Sequence, residues 1–205
     1  MGLYSKYIYP KIIETLLSIP SVMKERKDIL SHVKGNILEI GFGTGLNLPC
    51  YPNFIKEITV LETNEGMNSL ANKRIKFSQI KVNFKLISAE SLPFDDETFD
   101  SVVSTFTFCS IENINSAMKE FYRVLKPNGQ LLFLEHGLSR DKKVRFIQNH
   151  INPFYKLISD GCNLNRNIKS IIEENGFVIS NLEQFYDRHM IKLTGYLYKG
   201  IAVKK

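Results

Sequence analysis

Asn36-Ile37-Leu38-Glu39-Ile40-Gly41-Phe42-Gly43-Thr44-Gly45-Leu46-Asn47 is the stretch on which the fold turns. Ile37, Leu38 and Ile40 are apolar and β-favouring, as in a strand buried on both faces. Three glycines at alternate positions follow. Lacking a Cβ, they reach backbone angles closed to other residues and let a ligand lie against the main chain. A helix is expected directly after them, its free N–H groups turned toward an anionic group. Strand, glycine turn and helix in that order make a nucleotide-type site, provided they sit in a parallel sheet.

The rest of the chain supplies that sheet. Apolar, β-favouring runs at 57–62, 82–87, 101–106 and 130–135 read as strands. Helical periodicity at 66–78 and 113–126 alternates with them, which is the pattern of a parallel α/β sheet. Residues 139–175 read as mostly helical and end at Gly176, and strand signals at 176–185 and 196–203 close the chain. Upstream, residues 1–34 read as two amphipathic helices. One is broken near Pro10 and stopped near Pro20, and the second runs from about Val22 to Val33. No repeat, linker or low-complexity tract divides residues 1–205, so a single domain is expected.

Composition narrows the function. An apolar fraction of 43% and a charged fraction of 23% suit a globular protein with a real core. There is no apolar run of 18 residues and no signal-peptide pattern, so a cytoplasmic location is expected. The net charge is +6, but the basic residues are scattered and not interleaved with aromatics, so no nucleic-acid partner is expected. Lys6, Lys11 and Lys24 leave peripheral membrane contact open. Cys50, Cys109 and Cys162 are odd in number and far apart. They have no Cys-x-x-Cys pair and no zinc-ligand spacing with histidine, so buried thiols and no metal are expected.

The glycine turn is neither a dinucleotide fingerprint, since Leu46 stands at its sixth position, nor a P-loop. Glu39-x-Gly41-x-Gly43-x-Gly45 resembles motif I of the class I S-adenosylmethionine (SAM)-dependent methyltransferases. That resemblance implies a Rossmann-like seven-stranded, mostly parallel sheet of order 3-2-1-4-5-7-6. It also implies a helical lid, residues 1–34, over a SAM-binding core of 35–205. Glu39 would then hold the methionine amino group, and Glu62, at the end of the second strand, both ribose hydroxyls. Ala89 N–H and Glu90 would face the adenine, with Asn47, Thr63 and Thr105 completing the cofactor contacts.

The run Phe121-Tyr122-Arg123-Val124-Leu125-Lys126-Pro127-Asn128-Gly129 resembles the ubiquinone/menaquinone methyltransferase-like group. Glu135-His136-Gly137, together with Asp160-Gly161-Cys162-Asn163-Leu164-Asn165-Arg166, resembles its alkyl-thiol methyltransferase branch. The resemblance implies methyl transfer to a small molecule: a thiol, a quinol or a lipid-like amine. His136 is the candidate catalytic base. Tyr4, Tyr7, Phe106, Phe108, Cys162 and Arg166 are candidates for lining the acceptor site. Two rivals stay open: a non-catalytic SAM-binding module, and an NAD-dependent oxidoreductase, which Leu46 disfavours. Monomer and dimer are equally compatible with the sequence.

Overall fold

The computed structural model describes residues 2–204, apart from the side chain of Asn68. A wide helical turn, Tyr4–Ile8, runs into α1 (Tyr9–Leu17). Pro10 sits in the first turn of α1, where its missing N–H costs nothing, so it starts a helix and does not interrupt one. α2 (Pro20–Leu30) begins on a proline for the same reason. The chain continues through β1 (Ile37–Ile40), β2 (Glu57–Glu62), α3 (Asn68–Phe77), β3 (Lys81–Leu86) and β4 (Phe99–Thr105). Then come α4 (Ile114–Val124), β5 (Leu125–His136), α5 (Lys142–Ile158), α6 (Ile168–Glu174), β6 (Phe177–Tyr186) and β7 (Tyr196–Lys204).

The strands form one sheet of order β3-β2-β1-β4-β5-β7-β6. β1 to β5 are parallel, while β7 runs antiparallel to both β5 and β6. This is the sheet that the resemblance implied. Two details differ from the expectation. The α-helix expected after the glycine turn is absent, and only a short 3₁₀ turn, Leu48–Cys50, follows. Pro49 lies within that turn and Pro52 two residues past it, and together they leave no room for further helical hydrogen bonds. β5 starts at Leu125, earlier than read. Its register against β4 jumps from Phe99↔Leu125 to Ser101↔Gln130, so the Lys126–Gly129 turn is an excursion within the strand.

Alternating side chains on the central strands feed two apolar layers. Ala117, Met118, Phe121 and Val124 of α4 pack with Leu38, Ile40, Val102, Leu131 and Phe133. On the other face, Ile29 and Leu30 of α2 and Ala71 of α3 pack with Ile37, Val103, Leu132 and Leu134. Among the described residues, no helix is long and apolar enough to cross a membrane.

One polar clamp fixes α2 to the sheet. Lys199 Nζ on β7 lies 2.8 Å from Glu25 Oε2, 2.6 Å from Asp28 Oδ2 and 3.2 Å from Glu183 Oε1. The lysine is buried, so its charge is stabilised by these carboxylates and not by water. Lys199→Met should leave three acidic groups facing one another. A loss of about 1–3 kcal/mol is expected, measured as the shift in denaturant midpoint at constant slope.

Candidate active site

A cavity of about 910 Å³ opens at the carboxyl edge of the parallel strands, beneath α1. That edge is where open α/β sheets bind ligands. Gly41 (φ +69°) and Gly43 (φ +56°) both turn in the left-handed region. A Cβ on Gly41 would lie 2.3 Å from Thr107 Oγ1, so what presses on that glycine is the protein itself. A Cβ on Gly43 would meet only the Gly41 carbonyl oxygen at 3.9 Å, so the backbone is open to a ligand there.

Glu62 closes the turn. Its Oε2 accepts from Gly43 N–H at 2.6 Å, and its Oε1 from Thr63 and Asn64 N–H at 2.7 and 2.8 Å. Burial pushes its carboxyl above the ordinary range, outweighing these three backbone donors. Glu90 also lines the cavity, and its Oε1 accepts from Asn113 N–H at 2.8 Å, next to the start of α4.

Arg26 of α2 is buried against the same cavity. One terminal nitrogen donates to Asn47 Oδ1 at 2.8 Å and to Thr105 Oγ1 at 2.6 Å. Its guanidinium lies 5.2 Å from the centre of the Phe106 ring, within cation–π range, and its Nε has no partner. Asn47 in turn donates to Glu39 Oε1 at 2.9 Å, and Tyr51 Oη donates to Glu39 Oε2 at 2.7 Å. Burial drives the Glu39 carboxyl up to about 7, against the opposing pull of Tyr51, Asn47 and Arg26. Phe106 holds φ +55°, a conformation uncommon for a bulky residue, at the tip of β4.

Farther along the wall lie Cys109, His136 and Cys162. All three are buried, and their ligating atoms lie within 4.8 Å of one another. His136 Nε2 is 3.2 Å from Cys162 Sγ, whereas Nδ1 is buried without a partner. A hydrogen bond from Cys162, with His136 beside it, holds the Cys109 thiol well below the usual thiol range even though burial opposes this. Glu135 faces away from the imidazole. It accepts from Ser104 Oγ at 2.7 Å and from Thr107 and Phe108 N–H at 2.9 and 3.1 Å.

The sequence candidates divide accordingly. Tyr4, Gly41, Gly43, Asn47, Glu62, Thr63, Ala89, Glu90, Thr105, Phe106, His136 and Cys162 line the cavity. Glu39, Gly45, Tyr7, Phe108 and Arg166 do not. Glu39 lies behind Asn47, on the strand face covered by α2, so it supports the wall and does not form it. Gly45 packs on the Phe42 ring. Tyr7 is exposed, and its ring takes Lys6 at 5.9 Å. Phe108 is fully buried in the core beside Phe121. Arg166 donates to the carbonyls of Phe108 and Ile111, pinning the loop after β4.

Arg26 belongs to the wall but was not read from the sequence. Arg26 hides in the charged run Lys24-Glu25-Arg26-Lys27-Asp28, which looks like a solvated helix face. Asp160, from the Asp160–Arg166 stretch picked out in the sequence, also lines the cavity. Its carboxylate joins Ser5 Oγ at 2.7 Å and Asn64 Nδ2 at 3.1 Å, tying the N-terminal turn to the tip of β2.

The sheet order, the open glycine turn and the carboxylate beside it define a Rossmann-like methyltransferase of class I. Residues 38–133 match the methyltransferase domain family. The chain is 29% identical over 192 residues to the rat (Rattus norvegicus) thiol S-methyltransferase TMT1B, covering 87% of this chain and 78% of that protein. It is 30% identical over 179 residues to human (Homo sapiens) thiol S-methyltransferase TMT1A, covering 83% and 71%. The fold is shared with a SAM-dependent methyltransferase from Thermotoga maritima described as a possible histamine N-methyltransferase. The TM-score is 0.69 at 20% identity, covering 98% of both chains. The chain belongs to the SAM-dependent methyltransferases, and S-adenosylmethionine is its methyl donor. Nothing in these relatives supports a non-catalytic module or an NAD-dependent oxidoreductase.

The two buried carboxyls set a pH dependence of stability. Glu39 is pushed from 4.5 up to about 7 by burial, and Glu135 likewise to about 7 by burial and by Cys109. The folded state therefore holds protons that the unfolded chain has released, and stability falls as pH rises from 4.5 toward 7. The loss is on the order of 1–3 kcal/mol per group. Glu39→Gln should flatten the fall by removing one of the two groups. Denaturant midpoints from pH 5 to 8 measure the slope, and an unchanged slope would refute the assignment.

Proposed function

We propose that the methyl acceptor is a small thiol with an apolar body, and that Cys109, His136 and Cys162 mark where its sulfur sits. This trio on the cavity wall is the observation that carries the reading. The names of the relatives TMT1A and TMT1B point the same way. Ile12, Ile13, Leu16, Tyr155, Ile158 and Ile191 supply the apolar surface for the rest of the acceptor.

The donor lies across the cavity from the trio. Glu62 gives up part of its grip on the backbone N–H groups to accept from the ribose hydroxyls, a bidentate match for a diol. Ala89 N–H and Glu90 flank the adenine. Arg26, with its spare Nε, faces the methionine carboxylate, and the Phe106 ring borders the sulfonium. The sulfonium already activates the methyl group. What the protein adds is alignment of an anionic sulfur with the methyl–sulfur bond, and exclusion of water. Such positioning is worth about 7–11 kcal/mol of barrier.

Two measurements test this. S-adenosylhomocysteine release should be seen with small alkyl or aryl thiols and not with quinols or lipid amines, and turnover confined to quinols or amines would overturn the reading. Glu62→Ala should weaken SAM binding by about 1–3 kcal/mol in calorimetry, because the ribose loses a charged acceptor. Unchanged affinity would remove Glu62 from the cofactor site.

A further inference from the structure

We propose that Cys109 Sγ, Cys162 Sγ and His136 Nε2 bind a zinc-type divalent ion whose fourth position opens into the cavity and takes the acceptor thiol as a thiolate. The proposal rests on the thiol reading for its acceptor, but not for the ion. The three ligating atoms lie within 4.8 Å of one another, with Nε2 3.2 Å from Cys162 Sγ. A tetrahedral zinc ion, with bonds of about 2.3 Å to sulfur and 2.0–2.1 Å to nitrogen, sets its ligand atoms roughly 3.5–3.8 Å apart. Closing the trio around an ion therefore takes side-chain shifts of about 1 Å or less. Two sulfurs and one imidazole with an open fourth position form a catalytic type of zinc site, and this soft donor set selects against magnesium and calcium.

Charge argues in the same direction. Two thiolates and a divalent cation sum to zero, so the buried cluster carries no unpaired charge. A thiolate in the fourth position adds one negative charge, opposite the single positive charge of the sulfonium.

The loops that carry the sulfurs are held together independently of any ion. Asn163 N–H and Nδ2 donate to the Cys109 carbonyl at 2.9 and 2.8 Å, and Arg166 holds the Phe108 and Ile111 carbonyls. The ligands come from the loop after β4, the tip of β5 and the loop after α5, so no spacing in the sequence shows the set.

In the reaction, the acceptor S–H proton leaves to solvent as the sulfur joins the ion. A sulfur lone pair then forms the new S–C bond. The methyl–sulfonium bond breaks, and its electron pair stays on neutral S-adenosylhomocysteine. Nothing is oxidised or reduced, and the neutral thioether is a weaker ligand than the thiolate, so it departs.

The test uses the full chain, reduced and stripped with a chelator, then titrated with cobalt(II). We expect one cobalt per chain, with the intense visible bands of a tetrahedral thiolate site that shift when a small thiol is added. Cys109→Ser and Cys162→Ser should abolish these bands while keeping the fold by circular dichroism and retaining SAM binding. Thiol turnover that survives complete chelation in a metal-free protein would overturn the ion and keep the acceptor. Tetrahedral cobalt bands with no thiol turnover would overturn the acceptor and keep the ion. Bands that persist in both serine variants would overturn the ligand assignment.

Discussion

A guanidinium buried at the carboxyl edge of a sheet has to be stabilised on every side, and much of this site can be understood as the answer to that demand. Arg26 reaches the cavity only because α2 lies flat on the sheet, held there by the Lys199 clamp on one side and by Ile29 and Leu30 on the other. Its partners are Asn47 from the glycine turn, Thr105 from β4 and the face of Phe106. Asn47 is oriented in turn by Glu39, and Glu39 by Tyr51. One cation thus links α2, β1, β4 and the loop before β2. Desolvation lowers the Arg26 pKa to about 10, with Glu39 the largest opposing influence, so the group stays charged at neutral pH.

What could be read from the sequence follows the range of the interactions. The glycine turn, the strand series and Glu62 are local or nearly so, and they were readable. The sheet order came through the resemblance, because pairing between distant strands leaves no local signature. Alternation along β1 places Ile37 and Glu39 on one face and Leu38 and Ile40 on the other, so Glu39 faces the layer beneath α2, where it meets Asn47 and Tyr51. Phe108 is a similar case. At the end of a buried strand an aromatic residue serves core packing as readily as a pocket, and the stack on Phe121 decides between them. The shortness of the helical turn after Gly45 is legible too, in the Tyr51-Pro52 that ends it.

Two of the four described non-glycine residues at positive φ, Phe106 and Asp160, line the cavity, at a typical cost of about 1–3 kcal/mol each. Both are locked by neighbours. Phe106 N–H bonds to the Leu134 carbonyl, and its ring meets Arg26 and His136. The Asp160 carboxylate bonds to Ser5 and Asn64. Each strained residue aims something at the cavity: Phe106 its ring, and Asp160 the turn that presents Cys162.

The roof of the cavity is attached more lightly than the floor. Among the described residues, α1 is held to the glycine turn and to α3 by one polar junction, in which Glu14 meets Thr44 and Arg74. Burial works against the Glu14 charge, but the bonds to Arg74 and Thr44 outweigh it and keep its carboxyl below the ordinary range. Leu3 and Ile8, outside the cavity lining, are substantially exposed, and so in part are Ile12 and Leu16 within it. An element with few buried contacts and one charged hinge opens at low free-energy cost. The floor cannot yield in that way, because Asn163 and Arg166 tie its loops through backbone carbonyls. Opening α1 would therefore expose the cavity while the Cys109, His136 and Cys162 cluster and Glu62 keep their places.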